Sequence, residues 1–258
     1  MIPFNEFVEA NSFVVCAHRG ASGIAPENTM AAVALALESG APMVEIDVQY
    51  TRDRQMVVFH DDTLERTTNG TGPITERSLD ELRELDAGSW FSPNFAGERI
   101  PKLVDVLELM RGRAYVNIEI KPRPASEQTA REMAELLELV RSVEMFNKCV
   151  FSSFDHAALV YIRSIARDAR TIALNVPGDT RSPARVVGAC GADGFGCSLE
   201  EVNRQRADIC QHFRIPYGVY TVNTPQELEF VLDHGASGIV TNMPHVIIPH
   251  YRTIAATS

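Results

Sequence analysis

Long apolar runs are missing from this sequence. No stretch approaches the roughly 18 uncharged apolar residues needed to span a bilayer. The N-terminus, Met1-Ile2-Pro3-Phe4-Asn5-Glu6, lacks both the basic start and the apolar segment of a secretory leader. The expectation is a cytoplasmic chain without stable membrane insertion. Cysteine is scarce as well. Cys16, Cys149, Cys190, Cys197 and Cys210 are an odd set with no CxxC pair, which argues against a disulfide-held secreted scaffold. Their apolar surroundings mark most of them as small buried side chains. Positive charge is in deficit, with 24 Lys and Arg against 34 Asp and Glu and a formal net charge of −10. That field repels polyphosphate and disfavours nucleic acid as a partner. A small anionic ligand remains compatible where local cations or a metal draw it in.

With 258 residues, 45% hydrophobic and 22% charged, the chain is long enough to bury a large core without staples. Short apolar runs alternate with helix-like stretches. Strands are expected at Phe13–Ala17, Met43–Tyr50, Gln55–Phe59, Tyr115–Lys121, Cys149–Phe154, Thr171–Asn175, Gly194–Ser198, Tyr217–Val222 and Gly238–Thr241. Amphipathic segments lie between them, at Asn28–Glu38, Pro101–Met110, Ser126–Val143, Asp155–Ala166, Glu200–Phe213 and Pro225–His234. Asn28 reads as an N-cap, and Gly40 and Gly235 as helix ends. About eight strand–helix repeats, with no GxGxxG or P-loop after the first strand, favour a closed (β/α)8 barrel over an open sheet. Thr51-Arg52-Asp53-Arg54 joins the second and third strands too tightly for a crossover and implies a hairpin. We therefore expect an α/β fold in which residues 1–258 form a single TIM-barrel domain. A small insertion, at about 61–102, follows the second barrel strand, with Trp90 in its core.

The chemistry is signalled by polarity in the wrong place. Alternation in Val44-Glu45-Ile46-Asp47-Val48-Gln49 puts Glu45, Asp47 and Gln49 on one face. In Val116-Asn117-Ile118-Glu119-Ile120-Lys121, one face likewise holds Asn117, Glu119 and Lys121. Parallel strands covered on both sides should read as nearly continuous Val, Ile and Leu. Inward carboxylates are costly unless paired or bound to a cation. His18-Arg19-Gly20 ends the first strand, and His60 ends the third in Val57-Val58-Phe59-His60-Asp61. Two histidines, three carboxylates, an Arg and a Lys at strand ends suit phosphoryl chemistry: oxygen ligands for a hard divalent ion, cations for phosphate, and imidazoles as acid and base. His156, His212, His234, His245 and His250 read as solvated or structural.

These motifs resemble those of the glycerophosphodiester phosphodiesterases. The resemblance rests on His18-Arg19-Gly20, Pro26-Glu27-Asn28-Thr29, Glu45-Ile46-Asp47-Val48 and Val58-Phe59-His60-Asp61. It continues through Leu64-Glu65-Arg66-Thr67-Thr68-Asn69-Gly70, Ile100-Pro101-Lys102-Leu103, Asn117-Ile118-Glu119-Ile120-Lys121, Ser152-Ser153-Phe154 and Tyr220-Thr221-Val222-Asn223. It implies hydrolysis of glycerophosphodiesters to sn-glycerol 3-phosphate and an alcohol, with one divalent cation, Mg or Ca, held by Glu45, Asp47 and Glu119. By the same resemblance His18 and His60 are the acid–base pair. Arg19 and Lys121 contact phosphate, Glu27 belongs to the substrate or metal region, and Tyr220 offers a ring to the glycerol or alcohol where the family often has Trp. A second departure is Thr241-Asn242-Met243-Pro244, where the family usually has Thr-Asp-x-Pro. Two rival readings are a lysophospholipase D acting on lipid-tailed substrates and a non-catalytic barrel kept as a binding module. The first lacks an apolar stretch in the insertion, and the second would have lost part of the ionisable set.

Overall fold

Nine strands appear in a computed structural model that describes residues 1–2, 4–11 and 13–257. They are β1 (Val14–His18), β2 (Met43–Tyr50), β3 (Met56–Val58), β4 (Tyr115–Ile120), β5 (Cys149–Ser153), β6 (Thr171–Leu174), β7 (Gly194–Ser198), β8 (Tyr217–Tyr220) and β9 (Gly238–Thr241). All nine lie where hydrophobic patterning puts them, to within two residues at either end. The order β1-β9-β8-β7-β6-β5-β4-β2, with β1 also paired to β2, closes eight parallel strands into a TIM barrel. β3 pairs antiparallel with β2 at Val48–Tyr50, the expected hairpin.

The helices are α1 (Phe4–Ala10), α2 (Met30–Glu38), α3 (Leu79–Arg83), α4 (Leu103–Met110), α5 (Glu127–Ser142), α6 (His156–Ile165), α7 (Pro183–Cys190), α8 (Arg204–Phe213), α9 (Pro225–Asp233) and α10 (Pro244–Ala255). Apart from the five-residue α3 in the segment between β3 and α4, three of them, α1, α7 and α10, fall outside the amphipathic stretches read from the sequence. Each is weakly signalled: α1 has seven residues, α7 holds Gly188, and α10 carries Pro249 inside it. Packing against the barrel, not local propensity, makes them helical. Local chemistry is clearer at the ends. Thr224 and Glu227 form a capping box on α9, and Gly40 and Gly235 follow α2 and α9 with φ of +75° and +67°.

The outward strand residues Val44, Ile46, Val48, Val116, Ile118 and Phe151 join Val33, Ala36, Leu103, Leu107, Leu136 and Val140 of the surrounding helices in one buried cluster. This leaves the alternate residues of β2 and β4 facing the barrel axis. At the N-terminal end of the strands, Phe7 of α1 stacks on Tyr115 at 4.0 Å and packs with Cys16, Met43 and Val150. The segment between β3 and α4 has its own core of Val57, Phe59, Leu64, Ile74, Leu79, Leu82, Ala87 and Ile100. Trp90 is not part of it. Its side chain is 40% exposed, anchored by an indole N–H donated to the Ala87 carbonyl, because the turn at Gly88–Trp90 leaves the ring at the rim. The five cysteines are buried and free, as expected. Among the described residues, no helix is long and apolar enough to cross a membrane.

Candidate active site

Strand register assembles the site. Parallel pairing sets His18 opposite Glu45 on β1 and β2, and Asp47 opposite Glu119 on β2 and β4. Neighbouring strands lie about 4.8 Å apart, so residues that are distant in sequence become side-by-side neighbours. Glu45, Asp47 and Glu119 can each aim an oxygen into a common space, with those atoms within 4.8 Å of one another. Glu45 and Asp47 are buried. Glu45 Oε1 has no hydrogen-bond partner, while its Oε2 accepts from the Arg19 backbone N–H at 2.9 Å. Burial, with Asp47 and Glu119 close by, pushes the Glu45 carboxyl well above its ordinary value. Glu119 is raised for the same reasons, against the pull of Lys121. Asp47 goes the other way: burial would raise it, but Lys121, Arg19 and His60 bring it down to about 2.

Two cations interleave with the acids. Lys121 Nζ donates to Glu119 Oε1 at 2.6 Å and lies 2.5 Å from Asp47 Oδ1, an ion contact rather than an aligned hydrogen bond. Arg19 sets Nε 3.2 Å from Asp47 Oδ2 and donates from Nη1 to Glu27 Oε1 at 2.7 Å. The β1–α2 turn that carries Arg19 is tight. Gly20 has φ +83°, and a Cβ there would meet the Ala32 backbone at 2.5 Å, so only glycine lets α2 pack this closely under the turn.

Each histidine is held through Nδ1. His18 Nδ1 lies 2.6 Å from Asn242 Oδ1, and its Nε2 is 3.9 Å from Glu45 Oε2. Burial and the adjacent Arg19 push His18 down to about 4, opposed by the Asn242 bond, so the ring is neutral near pH 7. His60 Nδ1 lies 2.6 Å from Asp61 Oδ1. The β2–β3 hairpin delivers it: Phe59 N–H donates to the Asp47 carbonyl, and Gln49 Nε2 reaches the His60 and Asp61 carbonyls at 3.4 and 3.3 Å. Tyr220 closes β8, its ring edge-on to Phe154 at 6.0 Å, and burial pushes its hydroxyl above the ordinary range.

The structure thus brings together His18, Arg19, Glu27, Glu45, Asp47, His60, Glu119 and Lys121. Tyr220 lies at the same strand ends, close enough for the Glu119 charge to act on its hydroxyl. One reading needs correction. Asn28 does not cap α2. Thr29 does, its Oγ1 accepting from Ala32 N–H at 3.2 Å. Asn28 instead adopts φ +58° and donates from Nδ2 to Asp47 Oδ2 at 2.8 Å, so its one-residue offset from the cap gives it to the acid cluster. Asn242, Asp61 and Arg66 also touch the site residues without having been singled out as members. Arg66 and Asp61 stood inside the matched motifs, whereas Asn242 was legible only as a missing acid. A hollow of about 490 Å³ near Arg204, Cys210 and His234 carries no cluster of ligating side chains comparable to Glu45, Asp47 and Glu119, so chemistry rather than volume singles out this site.

Comparison with known proteins agrees with the fold. A glycerophosphodiester phosphodiesterase of Caldanaerobacter subterraneus subsp. tengcongensis is 34% identical over 236 residues, covering 91% of this chain and 96% of the relative. The crystal structure of the glycerophosphodiester phosphodiesterase of Agrobacterium tumefaciens superposes with a TM-score of 0.78 at 32% identity, over 90% of this chain and 97% of that one. A phosphodiesterase of Oleispira antarctica, solved in complex with the product sn-glycerol-3-phosphate, superposes with a TM-score of 0.83 at 27% identity, over 93% and 96% of the two chains. Residues 18–246, from His18 at the end of β1 to the start of α10, match the glycerophosphoryl diester phosphodiesterase family, and this chain belongs to it.

Proposed function

We propose that the protein hydrolyses glycerophosphodiesters to sn-glycerol 3-phosphate and an alcohol, with one divalent cation, Mg or Ca, and with His18 and His60 as the acid–base pair. The acid cluster carries the reading. Glu45, Asp47 and Glu119 offer only oxygen donors, which suit a hard ion. Glu45 Oε1, buried and without a partner, fits a cation ligand better than a structural acid. Glu27, Glu45, Asp47, Asp61 and Glu119 against Arg19, Arg66 and Lys121 leave two negative charges when all are ionised, the charge of one divalent ion. Such an ion, when bound, offsets charge on the phosphoryl oxygens and acidifies the attacking hydroxyl.

This chain's own residues supply the rest. Arg19 and Lys121 receive the phosphate charge, Glu27 orients Arg19, and Tyr220 offers its ring to the glycerol or the alcohol. One histidine takes the proton of the glycerol 2-hydroxyl as that oxygen bonds to phosphorus. The other gives a proton to the departing alcohol oxygen as its bond to phosphorus breaks. The histidines then exchange roles. Water adds to the cyclic phosphate, the bond from phosphorus to the 2-oxygen breaks, and sn-glycerol 3-phosphate leaves. The internal route is favoured because the 2-hydroxyl is already close to phosphorus. The product named for the Oleispira structure is the one this reaction leaves.

The test is glycerophosphocholine turnover, read as sn-glycerol 3-phosphate release, before and after EDTA. Activity should vanish on chelation and return with Mg or Ca better than with Zn. Full turnover after exhaustive chelation, with no metal by elemental analysis, would overturn the metal assignment. No release from any of a panel of head groups would overturn the substrate.

A further inference from the structure

We propose that Arg66 is a positioning residue that sets both working arms of the site with one side chain, holding Asp61 against His60 and Glu27 against Arg19. The inference rests on the proposed reaction and adds a residue to it. The Arg66 guanidinium makes four hydrogen bonds to two carboxylates. Nε donates to Asp61 Oδ2 at 2.5 Å and Nη2 to Asp61 Oδ1 at 3.0 Å. Nη1 donates to Glu27 Oε2 at 2.8 Å and Nη2 to Glu27 Oε1 at 2.7 Å. Both carboxylates then pass the constraint inward. Asp61 Oδ1 meets His60 Nδ1 at 2.6 Å, and Glu27 Oε1 accepts from Arg19 Nη1 at 2.7 Å. One arm ends on a proton carrier and the other on a phosphate ligand.

The planar fork of arginine is what makes this bridge. A lysine is a point charge on a flexible stem and cannot engage two carboxylates edge-on at once. The base of the side chain is also fixed. Leu64 is buried and accepts from both the backbone N–H and the hydroxyl of Thr68, and the Thr68 hydroxyl in turn accepts from Gly70 N–H at 2.9 Å. Arg66 therefore rides on an ordered turn of the segment between β3 and α4, which explains how that segment contributes to a site built on barrel strands. Removing the guanidinium would leave Asp61 and Glu27 as neighbouring carboxylates with no charge between them, and both arms would loosen. Misplacement of a catalytic group by about 1 Å costs on the order of 100-fold in rate.

The two arms separate kinetically. Asp61→Asn should lower kcat with little change in KM, since it loosens only the proton carrier. Glu27→Gln should chiefly raise KM through Arg19. Arg66→Ala should do both, lowering kcat/KM by roughly 10- to 100-fold with its circular dichroism unchanged. Arg66→Lys should recover little of this. Because the Arg66 side chain is 46% exposed, added guanidinium ions at non-denaturing concentration should restore Arg66→Ala saturably, where equal sodium chloride does not. Arg131→Gln, which removes an exposed ion pair on α5, is the control with unchanged kinetics. Arg66→Ala within about two-fold of the parent in both kcat and KM would overturn the proposal. So would equal loss in the Ala and Lys variants with a lowered Tm and no guanidinium response, which would assign Arg66 to folding alone. Failure of the underlying reading looks different, because the parent itself would then release no sn-glycerol 3-phosphate or His60→Ala would keep full kcat.

Discussion

Replacing Asn242 by leucine takes the acceptor from His18 Nδ1 and little else. The backbone of Asn242 stays tied on both sides, its carbonyl to Gly23 N–H at 2.8 Å and its N–H to Asn223 Oδ1 at 2.8 Å. What is lost is the 2.6 Å contact to His18 and the 3.0 Å bond from the Ser22 hydroxyl. Stranding a buried donor costs roughly 1–3 kcal/mol. The His18 side chain is 20% exposed, so water recovers part of this, and about 1–2 kcal/mol is the working range. If the bond holds the ring in its reactive pose, that converts to a kcat lower by about 5- to 30-fold, with KM little changed. Asn242→Asp separates geometry from charge. It keeps an acceptor in place but adds a carboxylate beside a ring that burial and Arg19 otherwise push down to about 4. The carboxylate favours imidazolium, so His18 rises toward its ordinary value. Where the reaction needs neutral His18, activity falls as pH drops through that pKa, so the His18 contribution to the acid limb should lie at higher pH in Asn242→Asp than in the parent. Steady-state release of sn-glycerol 3-phosphate across the acidic range, with thermal melts as a folding check, reads both effects. An Asn242→Leu enzyme within about two-fold of the parent at every pH, with an unchanged melt, refutes the positioning argument. An unmoved acid limb in Asn242→Asp refutes the electrostatic one.

Other expectations follow from the same geometry. His18→Ala and His60→Ala should each lower kcat by roughly 100-fold or more; near-normal turnover in either removes that residue from the acid–base pair. Glu119→Gln should stay folded yet bind Ca or Mg far more weakly by calorimetry, and unchanged affinity would mean that Glu119 is not a ligand. A 2-deoxy analogue of glycerophosphocholine should bind without reacting, and phosphorus NMR of the natural substrate should show a transient cyclic phosphate. Cleavage of the analogue at a similar rate would assign the nucleophile to water. Gly20→Ala, with a Cβ forced to 2.5 Å from the Ala32 backbone at φ +83°, should cost roughly 2 kcal/mol or more of stability, and an unchanged Tm would contradict the close packing of α2 under the turn.

Properties that repeat along the chain were legible in the sequence. Strand alternation has a period of two wherever it occurs, so Glu45, Asp47 and Gln49 could be placed on one face of β2, and Asn117 and Glu119 on one face of β4, without any tertiary information. The succession of apolar runs and amphipathic segments likewise implied a parallel sheet, because each strand and each helix stripe must bury its apolar side against a neighbour, and about eight repeats without a GxGxxG favoured its closure into a barrel. Matching motifs then named the residues around His18, Glu45, His60 and Glu119. Register and loop return were settled only in three dimensions. Asp47 faces Glu119 because β2, besides its hairpin with β3, pairs in parallel with β4, and no local pattern states that. Asn242 meets His18 across 224 positions of sequence, and Arg66 meets Glu27 across 39. Neither contact leaves a periodic trace, since a single side-chain hydrogen bond constrains one residue at each end. Asn28 shows the same limit at short range. Its type suits a helix cap, but the tight turn at Gly20 and the packing of α2 move the cap to Thr29 and turn Asn28 toward Asp47. Local chemistry set which residues face the barrel axis, and the closure of the barrel with its returning loops decided which of them touch.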